Sequence, residues 1–183
     1  MRPHPEKAQR GGEDDFFTEG SWMGVADGVG GWAGEGIDSG MYSRELMGHC
    51  KALVVNSKGK LDPKDVLVKA AGSTKAQGSA TVLVAALFEQ TCTQQNWETW
   101  VHHSSQLGAH AAYLLIFRLQ EFKIPVCKGD IIVLGTDGLF DNLFNDDIIE
   151  VLKKSLGSDQ VNLKACSWGA GRAFGQLERW KAT

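Results

Sequence analysis

Two kinds of apolar run alternate along the chain. Short β-branched runs bounded by Gly or Asp read as buried strands, and stretches with apolar residues three and four apart read as helices. Phe16 and Phe17 open a first strand. Trp22 to Ala26 forms a second and ends at Asp27-Gly28, where Gly28, Gly30, Gly31, Gly34 and Gly36 make a glycine-dense loop. With Ser39 as cap, Met41, Tyr42, Leu46, Met47 and Cys50 keep helical spacing. Asp62-Pro63 starts a second helix whose buried stripe is Val66, Leu67, Ala70 and Ala71. Thr81 to Leu87, TVLVAAL, reads as a central strand. Phe122 to Val126 and Ile131 to Leu134 read as strands either side of a Lys128-Gly129-Asp130 turn. Asn145 or Asp146 caps a last helix that runs to about Leu156. Gln90 to His103 fits neither period, Ala109 to Leu119 suits a strand or a helix, and the tail to Thr183 shows no clear strand.

Composition narrows the class. The 183 residues suffice for one domain with a real core, and 43% hydrophobic with 22% charged residues is ordinary for a globular protein. A net charge of −3 gives no electrostatic case for nucleic acid or an anionic membrane. No run of about 18 apolar residues predicts a membrane span. MRPHPEKAQR has no apolar core of a secretory signal, so the chain as written suits the cytoplasm or nucleus. A start upstream, with a transit peptide, would place it in a mitochondrion or chloroplast instead. Cys50, Cys92, Cys127 and Cys166 share no short spacing, which argues against a zinc motif or a disulfide framework.

The acidic residues carry the candidate chemistry. Gly12 to Phe17 reads GEDDFF, dense negative charge at the lip of a hydrophobic core. Two apolar strands end alike, Val25-Ala26 in Asp27-Gly28 and Val133-Leu134-Gly135-Thr136 in Asp137-Gly138. A carboxylate at the end of a packed strand is held rigidly, and an adjacent Gly admits a close ligand. Each Asp-Gly alone is most simply a turn. Together with Glu13 and Asp14 two readings stay open: separate turns, or three acid-bearing strand ends that converge on one point, an arrangement that costs energy unless a cation neutralises it. Oxygen-only ligands suit Mg²⁺ or Mn²⁺ rather than zinc.

GGEDDFF, GVADGVGGWAGEGIDSGMYSRELM, KAQGSATVLVAAL and GDIIVLGTDGLFDNLF resemble the metal-dependent type 2C protein serine/threonine phosphatases, in the branch typical of plant, fungal and mitochondrial members. The blocks come in family order and cover residues 4–88 and 121–152. The resemblance implies an α+β fold, a four-layer α-β-β-α sandwich with a centre for two Mg²⁺ or Mn²⁺ ions at one end. It implies Glu13 as a ligand of one metal, Asp14 as the group that orients a water on the metals, Asp27 as the bridging carboxylate, the Gly28 carbonyl as a ligand of the first metal and Asp137 as a ligand of the second. A basic side chain just before the Glu-Asp pair binds substrate phosphate in the family; Lys7 and Arg10 are the candidates, with a solvated N-terminal charge as the plain alternative. Asp141 reads as a cap or turn residue, Trp32 as packing, and His4 as a lone histidine. The implied activity is hydrolysis of phosphoserine and phosphothreonine by an activated water, with a phosphoprotein as partner, a monomeric chain, and no role for the cysteines.

The chain also departs from the family pattern. Residues 1–183 read as a single phosphatase domain in which 90–120 is aberrant and the tail 157–183 does not match. The N-terminal strand before the Glu-Asp pair, a central strand ending in a Leu-Gly-Asp-Ser-like turn, and the C-terminal strand with its metal-binding Asp are expected to be missing. The last Asp is Asp159, and Glu178 is the only acid in ACSWGAGRAFGQLERWKAT. Read from the third base of each codon, Asn96 to Val101 hides Leu-Gly-Asp-x-Gly, as a frame change corrected before Glu121 would produce. Weak or absent activity, partly rescued by high Mn²⁺, is therefore expected. The alternatives are an inactive phosphoprotein-binding relative and a truncated or frame-shifted product without function.

Overall fold

The computed structural model describes residues 11–89, 95–103, 120–126, 130–157 and 162–167. The chain divides into two compact units: Met1–Phe88 with Asn96–Ile124, and Glu89–Gln95 with Pro125–Thr183. The architecture is α+β.

Strands β1 (Asp14–Glu19) and β2 (Trp22–Gly28) form a hairpin closed by Gly20-Ser21, with Gly20 at a φ of 56°. A positive φ at such a two-residue turn is one that glycine adopts without strain. The antiparallel register pairs Asp14 with Asp27, Phe16 with Val25 and Phe17 with Gly24. Strand β3 (Ala80–Glu89) pairs antiparallel with β2, and Asp27 faces Thr81. The sheet continues through β4 (Gln95–His103) and β5 (Gln120–Val126), in the order β1-β2-β3-β4-β5.

Because side chains alternate along a strand, this register sorts them onto two faces. Phe17, Trp22, Ala26, Val82, Val84 and Ala86 lie on the face that helices α1 (Ser39–Asn56) and α2 (Pro63–Ser73) cover. Tyr42, Leu46, Met47 and Cys50 of α1 and Val66, Leu67 and Ala70 of α2 fill that core. Leu46 and Leu67 are completely buried, and each such side chain contributes about 1.5–3 kcal/mol. Val25, Leu83 and Ala85 on the opposite face are buried as well.

Both helices begin on aspartate. Asp62 Oδ1 accepts from the Lys64 amide at 2.8 Å, with Pro63 in the first position as expected. On α1 the cap is Asp38, whose Oδ1 accepts from Gly40 at 3.0 Å, rather than Ser39, which is already helical. Met41 does not share the buried stripe and is 59% exposed, since it sits one position, about 100°, away from the line through Tyr42, Leu46 and Cys50.

In the second unit β6 (Asp130–Gly135) leads through Thr136 into the short helix α3 (Asp137–Phe140), and α4 (Asn145–Leu156) follows. Ile148 is buried there, with Ile131, Val133, Leu139 and Phe140 packed against it. The N-cap of α4 is Phe144 rather than Asn145 or Asp146; its amide donates to Asp147 Oδ2 at 2.9 Å. Asp141 follows α3 as its C-cap.

Two segments expected to lack elements contain strands. Gln95–His103 lies hydrogen-bonded between β3 and β5, and Asn162–Ser167 forms β7, parallel to β6. Neither shows a clean two-residue period. Backbone groups laid against a neighbouring strand find partners whatever the side-chain pattern, so pairing overrides weak local preference.

Candidate active site

The acids of GEDDFF do not act as a block. Glu13 lies just before β1, and Asp14 and Asp15 point to opposite faces of it. Asp15 shares the helix-covered face with Phe17. Burial raises its pKa, against the lowering effects of the Phe16 backbone hydrogen bond and the Arg44 charge. Asp14 lies on the other face, directly opposite Asp27, which in turn faces Thr81. Directly opposed side chains on an antiparallel pair have Cβ atoms about 4.5–5.5 Å apart, and like charges so placed repel.

Glu13 and Gly28 are locked together by backbone. The Gly28 amide donates to the Glu13 carbonyl at 3.1 Å. A Cβ on Gly28 would stand 2.7 Å from that carbonyl oxygen and 2.9 Å from the Ser39 carbonyl oxygen at the start of α1. Only glycine permits this approach. A Cβ on Gly30 would meet the two Glu13 carboxylate oxygens at 3.1 and 3.4 Å, so the Glu13 carboxylate lies over the opening of the glycine-dense loop.

That loop, Gly30–Glu35, is a 3₁₀ turn rather than irregular chain. Buried Ser79 holds it from both sides. The Val29 amide donates to the Ser79 carbonyl at 2.9 Å, and Trp32 Nε1 donates to Ser79 Oγ at 2.8 Å. Trp32 is half-buried and is held by this polar anchor. Gly78-Ser79 in the KAQGSATVLVAAL block has its reason here: it fastens the loop that follows Asp27.

Glu13, Asp14, Asp27 and Gly28 thus gather at one end of the β1–β2 hairpin. Asp137 belongs to the second unit, at the first position of α3 directly after β6 and Thr136. The expected convergence of Asp137 with Glu13 and Asp27 spans both units. Lys7 and Arg10, like His4, lie outside the described residues. Among the described residues no group of three or more His, Cys, Asp or Glu side chains stands ready to hold a metal ion. The donors at the hairpin end are carboxylate and carbonyl oxygens, the set that a hard divalent cation takes, and Gly30 leaves open the space beside the Glu13 carboxylate that a Cβ would fill. Cys50 is fully buried, and burial pushes its thiol up to about 12, which leaves it inert at neutral pH.

Sequence reasoning missed Thr81 and Arg44. Thr81 becomes visible only once the β2–β3 register is counted. Arg44 sits one turn along α1 from Gly40 and bonds back to Gly12, a contact 32 residues apart in sequence with no local signal.

The chain is similar to known proteins in sequence and in fold. The chain is 37% identical over 188 residues to the "Probable protein phosphatase 2C BIPP2C1" of Oryza sativa subsp. japonica, covering 85% of this chain and 31% of that protein. It is 40% identical over 174 residues to the "Probable protein phosphatase 2C 55" of Arabidopsis thaliana, covering 82% of this chain and 37% of the relative. Its fold matches the X-ray structure of the photosystem II phosphatase PBCP with a TM-score of 0.64 and 27% identity, over 86% of this chain and 71% of that one. The chain belongs to the type 2C protein phosphatase family. Its fold is the α+β type 2C fold, incomplete, and the branch is plant-like. It spans about a third of the length of the two curated relatives, 31% and 37%. No protein-family model matches the chain. Among the described residues no helix is long and apolar enough to cross a membrane.

Proposed function

We propose that this type 2C chain is a metal-dependent protein serine/threonine phosphatase that hydrolyses phosphoserine and phosphothreonine in a phosphoprotein substrate. The observation that carries the reading is the pairing of Asp14 with Asp27 at the hairpin end where the Glu13 and Gly28 backbones are bonded. Two carboxylates held at directly opposed positions are favoured when a cation lies beside them. Mg²⁺ or Mn²⁺ bound there would supply a nucleophilic water at neutral pH and neutralise charge on the phosphoryl oxygens.

The chain's own residues then divide the work. Asp27 and Glu13 would hold the ions through carboxylate oxygens, and the Gly28 carbonyl would add a neutral ligand. Asp14, across the strand from Asp27, would orient the attacking water and accept its proton. Asp137 would serve the second ion, and Arg10 or Lys7 would bind the substrate phosphate. No side-chain nucleophile is required, in keeping with a Cys50 thiol held protonated by burial.

The test is binding and turnover of a phosphothreonine peptide with Mn²⁺ and with EDTA. Metal-dependent phosphate release supports the enzyme. Peptide binding by a folded chain without release assigns it instead as a phosphoprotein-binding relative. A circular dichroism spectrum without ordered structure identifies a chain that does not fold.

A further inference from the structure

We propose that Arg44 is a positioning residue for Glu13: its guanidinium bridges the Gly12 carbonyl and the Asp38 carboxylate, and so fixes the peptide that carries Glu13 against the first turn of α1. The proposal rests on the metal reading of the site above. Arg44 Nη1 donates to the Gly12 carbonyl at 3.2 Å, and Nη2 to Asp38 Oδ2 at 3.2 Å. Asp38 is itself fixed, because its other oxygen caps α1 through Gly40. The peptide that follows the Gly12 carbonyl is planar and ends at the Glu13 Cα. Holding that oxygen therefore restrains the plane of that peptide and the Glu13 Cα from which the side chain departs. On its far side Glu13 is held by the Gly28 amide. The candidate ligand is thus pinned on both flanks, by Gly28 through the sheet and by Arg44 through the helix.

Magnitudes separate this role from a purely structural one. The Arg44–Asp38 pair is partly exposed, 40% and 26% for the two side chains, and such pairs contribute little to stability. The cap and the buried stripe hold α1 in place without it. What Arg44 adds is geometry: a planar fork that reaches two acceptors at once. A lysine has the charge but not the fork.

The experiment is calorimetric titration of the full chain with Mn²⁺ alone, for wild type, Arg44→Lys, Glu13→Gln and the double variant, with a thermal melt of each. The melt of Arg44→Lys should stay close to that of wild type. Its Mn²⁺ affinity should fall about tenfold, the low end of what loss of a group supporting a metal ligand costs. In the Glu13→Gln background the same change should have no further effect, because Arg44 acts through Glu13. If Arg44→Lys does not fold, Asp38→Asn keeps the cap, removes one partner of the fork, and should weaken Mn²⁺ binding in the same Glu13-dependent way. Unchanged affinity in a folded Arg44→Lys, or equal losses in both backgrounds, overturns the positioning role alone. Absence of Mn²⁺ binding by wild type overturns the metal reading and this proposal with it.

Discussion

Gly28→Ala is the sharpest probe of how the site is built. The new Cβ would lie 2.7 Å from the Glu13 carbonyl oxygen, 2.9 Å from the Ser39 carbonyl oxygen and 3.0 Å from the Ser39 carbonyl carbon. All three are backbone atoms, in β1's approach and in the first turn of α1, so no flexible side chain can swing away. Overpacking of this kind costs about 1–3 kcal/mol. Displacing Glu13 also strains the 3.1 Å Gly28–Glu13 hydrogen bond, worth about 1 kcal/mol. Together these give about 2–4 kcal/mol, or roughly 4–16 °C in melting temperature at about 2–4 °C per kcal/mol for a chain of this size. Gly48→Ala is the control. Nothing lies within 4 Å of its Cβ position in mid-α1, and it should stabilise by about 0.5–1 kcal/mol through helix propensity. Thermal and urea denaturation measure both. A Gly28→Ala chain that melts with wild type would refute the close-packed backbone junction on which the Glu13 geometry depends.

Three further outcomes follow from the described packing. Leu46→Ala, at a fully buried position between α1 and the sheet, should cost about 2–5 kcal/mol in urea unfolding. Removing the α2 cap with Asp62→Ala should cost about 1 kcal/mol by the same measurement. Glu45 accepts from the Lys75 and Ala76 amides at 3.0 and 2.7 Å, and these bonds, that of Lys75 first, hold its pKa below the ordinary 4.5. A depressed carboxylate contributes stability above its unfolded pKa and loses it as pH falls through the folded value. Wild type should therefore lose stability relative to Glu45→Gln as pH drops below about 4.5, and parallel pH profiles would contradict the clamp.

Much of the first unit was legible because its signals are local. Asp62-Pro63 announces a helix start by chemistry that needs no neighbour, and TVLVAAL can be little but a buried strand. Asp27 was found because it ends an apolar run. What sequence could not supply is register. Three acids in a row look alike until the Gly20-Ser21 turn sets Asp14 against Asp27 and sends Asp15 to the helix side. Long-range bonds were equally silent: Arg44 to Gly12, Trp32 to Ser79 and Glu45 to Ala76 join residues 32, 47 and 31 apart. Strand β4 escaped because QNWETWVHH carries β-forming residues without alternation, and partners on both sides impose the extended backbone.

The central claim is that the hairpin-end carboxylates support metal-dependent phosphate-ester hydrolysis. Its most direct test is phosphate release from a phosphothreonine peptide by wild type and Asp27→Asn, each with Mn²⁺ and with EDTA. Asp27→Asn keeps the size of the side chain and removes the charge proposed to serve both ions. The account predicts release by wild type with Mn²⁺, none with EDTA, and none from a folded Asp27→Asn under either condition. Release that survives EDTA, an Asp27→Asn variant that keeps its rate, or a folded wild type that releases nothing at any Mn²⁺ concentration would contradict it.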